Sequence, residues 1–231
     1  MGSGRGLGEV GGKGGEVGAA TAVRRARRLR YSPPMTDDQP RPHPAPHLPF
    51  GNFSQVRSAL EAADTLAAPV AEALRTWESR EAAESVLYVD TDPGKADTAV
   101  FSESYAVPLE ASANCVVVAA RRGGETTLAA CLALAHTRVD VNRTVRKHLG
   151  ARKASFADMD TAVSRTGMEY GGITPLGLPA DWPLLVDASV IDAPYVLVGS
   201  GSRRGKLILP GKAIAQLPHV EVLEGLAPAA E

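Results

Sequence analysis

The sequence predicts one α+β domain built on a mixed β-sheet, and three observations carry that expectation. Apolar, β-branched runs of strand length recur from residue 85 onward, as in CVVVAA and YVLVGS. Short segments at helical spacing, several bounded by a capping Asp or a terminal Gly, alternate with them. Tight turns join some of the strands directly, which a regular βαβ series would not show. Composition agrees: 231 residues with 44% hydrophobic and 22% charged are globular values.

Taken in order, residues 1–50 are expected to be disordered. Their first part is mostly glycine, followed by VRRARRLR and a proline-dense stretch, and neither can bury enough apolar surface to offset ordering entropy. Residues 1–34 hold seven basic and two acidic residues. They read as a basic arm, a targeting peptide or sequence upstream of a true start at Met35, and the last is favoured. Order is expected near Phe53. Val56, Leu60, Ala63 and Leu66 fall at helical spacing behind Asn52, and Pro69 suits the first turn of a second helix with Val70, Leu74 and Trp77 on one face. Residues 51–84 are thus expected as N-terminal helices, and 85–231 as the functional domain.

Within that domain SVLYVD is a strand and ADTAVFSESYA a helix. CVVVAA and TTLAACLAL form a hairpin across RRGGE. Asp140 caps a helix over 139–150 that ends at Gly150, KASFA is a strand, and DMDTAVSRTG is a helix ending at Gly167. PLLVDASV, YVLVGS and KLIL are three strands, PGKAIAQL is a helix, and HVEVL closes the sheet.

Composition also excludes. Net charge is −1, so a nucleic-acid partner must meet a local basic patch. Two cysteines, Cys115 and Cys131, form no C-x-x-C, and the five histidines form no H-E-x-x-H. No G-x-S-x-G elbow supports a serine hydrolase. No apolar run is long enough for a membrane span, and a reduced intracellular protein is expected. VGSGSRRGKLIL has Gly199, Gly201 and Gly205, but the third glycine comes one residue late for a dinucleotide fingerprint and a strand follows. It reads as a hairpin with Arg203, Arg204 and Lys206 at its tip.

TGMEYGGITPLGL, residues 166–178, carries four glycines between a helix and a strand. Glycines there leave backbone groups open to a ligand, or simply make a turn. The segment resembles the central motif of the YbaK family, the prolyl-tRNA-synthetase-associated editing domains, whose signature is close to T-G-x-x-x-G-G-I-[ST]-P-[FLI]-G. HLGARKASFAD, LLVDASV and YVLVGSGSRRGKLIL are similar to further family stretches, and residues 88–118 more loosely so. The resemblance spans roughly residues 85–225.

That resemblance implies a mixed, partly barrel-like β-sheet with flanking helices. It implies a trans-acting, cytoplasmic deacylase of mischarged tRNA, of the Cys- or Ala-tRNA(Pro) type, needing no metal or cofactor. Its partners would be a tRNA acceptor end bearing an aminoacyl ester and an aminoacyl-tRNA synthetase. Gly171, Gly172, Ile173, Thr174 and Pro175 would orient the ester, and Asp187 would support the pocket. Tyr88, Gly199, Gly201, Arg203, Arg204 and Lys206 would contact substrate, the basic hairpin taking its phosphates. By register, Asn114 stands where the family carries a lysine, and Cys115 where it carries a threonine. A binding module for tRNA or a synthetase, without turnover, and an unrelated small-ligand pocket are the alternative expectations.

Overall fold

The computed structural model describes residues 48–229. The expectations for residues 1–47 lie outside the described residues. Within the segment expected to be disordered, Leu48 and Phe50 pack against the cluster of Val89, Phe101 and Val107.

Two sheets form where one was expected. The first is antiparallel throughout, in the order β1 (Val56–Ser58), β2 (Leu87–Asp90), β8 (Gly205–Leu209), β7 (Val196–Gly199). The second is mixed. It runs β5 (Lys153–Phe156), β3 (Ala113–Arg122), β4 (Glu125–Leu134), β6 (Leu184–Asp187), β9 (Val220–Leu223). β3 is antiparallel to β4 and β5, while β6 is parallel to β4 and β9. A bridge between Ser112 and Leu197 links the sheets.

Local sequence explains most elements. β3 and β4 pair over ten residues each, and Gly123 and Gly124 turn the chain with φ of 60° and 91°. Both central residues at positive φ is the turn whose twist matches a hairpin. β6 sits inside its sheet and buries both faces, which explains its unbroken apolar run. Leu184 and Val186 join the main core, while Leu185 joins Val118, Cys131 and Val145 behind the sheet. Asp140 caps as expected, accepting from the N–H groups of Arg143 and Thr144. The turn it opens, Val141–Val145, is π-helical and only Arg146–His148 (α4) is α-helical.

Three expectations are corrected. Residues 53–66 are not a helix. Val56–Ser58 pairs with β2 instead, because that edge offers a full ladder of backbone partners where a short isolated helix would leave its ends open. β1 therefore ties residues 51–84, expected as purely helical, into the same sheet as 85–231. Only α1 (Ala68–Thr76) and α2 (Arg80–Glu84) are α-helical there. α1 starts on Pro69 and buries Val70 and Leu74 as expected. Last, the strand expected over PLLVDASV stops at Asp187. Its carboxylate caps α6 (Ala188–Asp192), accepting from the Ser189 N–H and hydroxyl, while its second oxygen accepts from the Ala227 N–H at 2.9 Å.

The helices α3 (Thr98–Tyr105), α5 (Met159–Thr166) and α7 (Gly211–Ile214) complete the set. α5 ends at Gly167 with φ 67°, and the glycine-rich loop begins there. This loop docks on the β7–β8 hairpin backbone to backbone. The Gly201 N–H donates to the Gly172 carbonyl at 2.8 Å, and the Glu169 N–H donates to the Gly201 carbonyl at 2.9 Å. A Cβ on Gly199 would collide with the Gly172 carbonyl, and one on Gly172 would lie 2.8 Å from the Ser202 backbone.

Two outcomes follow. Gly199→Ala forces loop and hairpin apart and should lower the urea unfolding free energy by about 1–3 kcal/mol or more. Asp187→Ala removes the α6 cap and the tie to Ala227, at a cost of about 1–2 kcal/mol in the same measurement.

Candidate functional site

A cavity of about 680 Å³ opens where the two sheets meet. Its walls come from four places. The start of β3 gives Asn114 and Cys115, and the start of α3 gives Asp97 and Thr98. The glycine-rich loop gives Tyr170, Gly171 and Ile173, and the β7–β8 hairpin gives Gly199, Arg203 and Lys206. Phe156 and Met159 complete one side.

The candidate residues divide. Asn114, Gly171, Ile173, Gly199, Arg203 and Lys206 converge on the cavity. Gly172, Thr174 and Pro175 do not line it; they are buried in the loop's contact with the rest of the fold. Thr174 is fully buried with its hydroxyl unpartnered among the described residues. Asp187 lies away from the cavity, serving as the α6 cap. Tyr88 does not line it either: its ring fills the space beside Gly205, with the Arg57 guanidinium 5.1 Å from the ring centroid. Gly201 packs on Ala67 and Val70 at the start of α1. Arg204 is exposed and outside the cavity.

The loop's glycines therefore serve mainly a close backbone approach, and of the five residues Gly171 to Pro175 only Gly171 and Ile173 line the cavity. The expected three-cation tip is likewise split. Arg203 folds back, donating to the Tyr170 carbonyl at 3.3 Å and the Pro93 carbonyl at 3.0 Å, while its N–H donates to Glu169 at 2.7 Å. It pins three loops at the cavity edge. Lys206 belongs to β8 rather than to the tip and is 9% exposed.

Asn114 is exposed at the mouth of β3, where its side-chain carbonyl accepts from the Thr98 hydroxyl at 3.3 Å. Burial pushes the neighbouring Cys115 thiol well above the usual thiol range. Thiolate is the nucleophilic form, so at neutral pH Cys115 is an inert wall. Sequence reading missed Tyr170, Phe156 and Met159, which remain 61%, 52% and 53% exposed. Their signal was weak, because each is a lone apolar residue on an otherwise polar stretch. Together they form an apolar rim beside two cations. Among the described residues no cluster of three His, Cys, Asp or Glu side chains is placed to hold a metal, and no helix is long and apolar enough to cross a membrane.

Comparison with known proteins bears on the fold and the family. Solved structures share the fold. One, described as a candidate trans-editing enzyme for prolyl tRNA synthetase, is 18% identical, with a TM-score of 0.58 over 68% of this chain and 94% of that one. A scaffold protein used for epitope grafting gives the same score and identity over 68% of this chain and 95% of that one. A hypothetical protein follows at 16% identity and a TM-score of 0.58, over 68% and 99%. The family model for the aminoacyl-tRNA editing domain matches residues 92–217, from just after β2 to just after α7, and so takes in every wall of the cavity. The chain belongs to the aminoacyl-tRNA editing domain family.

Proposed function

We propose that the chain acts in trans, in the cytoplasm, on mischarged aminoacyl-tRNA, hydrolysing the ester between the amino acid and the terminal ribose. Substrates of the Ala- or Cys-tRNA(Pro) type suit it. One observation carries the reading: in a chain of the editing family, the glycine loop, the basic hairpin and the start of β3 meet at one open cavity.

The cavity chemistry supports this. At about 680 Å³ it holds an aminoacyl group together with the terminal nucleoside. The rim of Tyr170, Phe156 and Met159 offers a face on which an unpaired base stacks. With Cys115 protonated, water is the nucleophile. It forms the new C–O bond, the bond to the ribose oxygen breaks, and the leaving oxygen takes the proton that water gives up. An activated ester asks chiefly for orientation and for dipoles aimed at the developing oxyanion. Asn114 and Thr98 orient the substrate from one wall, and the backbone of Gly171 and Ile173 does so from the other. An aminoacyl-tRNA synthetase is the proposed partner, since it supplies the mischarged product.

The test is release of amino acid from Ala-, Cys- and Ser-charged tRNA by the full chain. Turnover on at least one pool is expected; binding without turnover would select a non-catalytic module instead. Tyr170→Ala should raise KM about 10-fold with little change in kcat, in line with the loss of one stacked base. Asn114→Lys adds a cation at the cavity mouth, so its KM should fall and its salt dependence steepen. Both are read from initial rates at two ionic strengths.

A further inference from the structure

Lys206 is a buried cation in the wall of the candidate site, and among the described residues no carboxylate neutralises it. It sits on β8 in register with Val89 on one side and Gly199 on the other. Its Nζ donates to the Gly171 carbonyl at a long 3.4 Å and lies 5.4 Å from the centroid of the Phe101 ring. An ammonium has three donors, so two stay free on the cavity side. A buried charge held only by a carbonyl and a ring face lowers stability. Such an arrangement makes sense where a negative charge arrives.

We infer that the Lys206 ammonium meets the oxyanion that develops on the ester carbonyl during hydrolysis. The inference rests on the deacylase reading and names the group that drives it. Depth decides between the two anionic oxygens a charged tRNA end brings. The phosphodiester stays with the backbone near the solvent side, where Arg203 stands. The ester is the extreme end of the molecule and reaches furthest in, to a side chain that is 9% exposed. As water adds to the carbonyl carbon, the carbonyl π pair moves onto oxygen, and Lys206 balances that charge while keeping its own proton. Collapse of the intermediate expels the ribose oxygen, which takes the proton lost by water. Gly171 holds the ammonium in place beforehand, so no reorganisation is needed at the moment of reaction.

The charged and titratable groups around it are Arg203 on the hairpin, Asp97 at the start of α3, Glu169 and Tyr170 in the loop, and Cys115 on β3. Burial first, and Arg203 second, hold the Lys206 ammonium below its ordinary value of 10.5. Between its folded value and 10.5 the unfolded chain binds more protons, so stability rises as pH rises through that window. An arriving oxyanion reverses the penalty.

The experiment compares two ligands built on 3′-terminal adenosine: an alanine phosphonate, which mimics the tetrahedral anion, and the neutral alanine amide. Calorimetry with the full chain should show the phosphonate bound at least about 100-fold tighter than the amide. Lys206→Met should erase that preference, leave the amide within about 3-fold, and lower kcat by about 10²–10³ with KM held. Its urea midpoint should match or exceed that of the original chain, because an unpaired buried charge is gone. Should Lys206→Met fail to fold, Lys206→Gln reads the same ratio. If the preference survives either substitution, or both ligands weaken equally, Lys206 does not meet the oxyanion. If the original chain binds the amide but not the phosphonate preferentially, this inference falls and the deacylase reading stands. If it binds neither and deacylates nothing, both fall.

Discussion

The site depends on one close approach of backbone to backbone. The Gly172 carbonyl lies where Gly199 has no side chain and accepts from the Gly201 N–H at 2.8 Å. Because the loop lies flat on the hairpin there, the Gly171 carbonyl comes within reach of Lys206, and the Tyr170 carbonyl within reach of Arg203. α1 covers the other side, with Ala67 and Val70 against Gly201. Loop, hairpin and N-terminal helix thus form one layered unit, and the cavity is the space left between that unit and β3. Any side chain inserted at the contact would lift the loop and disperse every group on that wall.

The sequence made the elements legible where chemistry is local. Asp140 and Asp158 cap turns because their carboxylates reach N–H groups three or four residues on. Pro69 and Gly167 mark a helix start and a helix end for similarly local reasons. The readings failed where a distant partner decides. Val56 has helical spacing to Leu60, yet the edge of β2 claims it for a strand. The strand expected to run on past Asp187 ends there, where its carboxylate accepts from Ser189 and from Ala227, forty positions away. Lys206 reads as one of three cations at a turn. Only the two-sheet geometry shows that its side chain enters the fold while Arg204 leaves it.

The glycine motif was recognisable, but its physical role was only half legible. Glycines permit access by a ligand and equally permit access by another strand of backbone. Sequence spacing does not distinguish these uses. In this fold Gly172 and Gly199 take the second role toward each other, and Gly171 takes the first toward the cavity. Family membership is written in the sequence, while the division of labour among the motif's residues comes from packing.

The order of strands in the first sheet also governs when the site can come into being. β2 pairs with β8, so that Tyr88 reaches the Arg204 carbonyl across 116 positions of sequence. The β3–β4 hairpin needs only its own two-glycine turn and can form as soon as it leaves the ribosome. The hairpin wall of the cavity cannot, because β3 to β6 all lie between β2 and β7 in the chain, and β8 must travel back to β2. Closing so long a loop is entropically slow, and contacts of this separation set the pace of folding. A nascent chain therefore carries the β3–β4 hairpin and an open edge on β2 until β8 arrives, and the second sheet waits longer still for β9. One closure therefore completes the hairpin wall of the candidate site and covers the edge of β2.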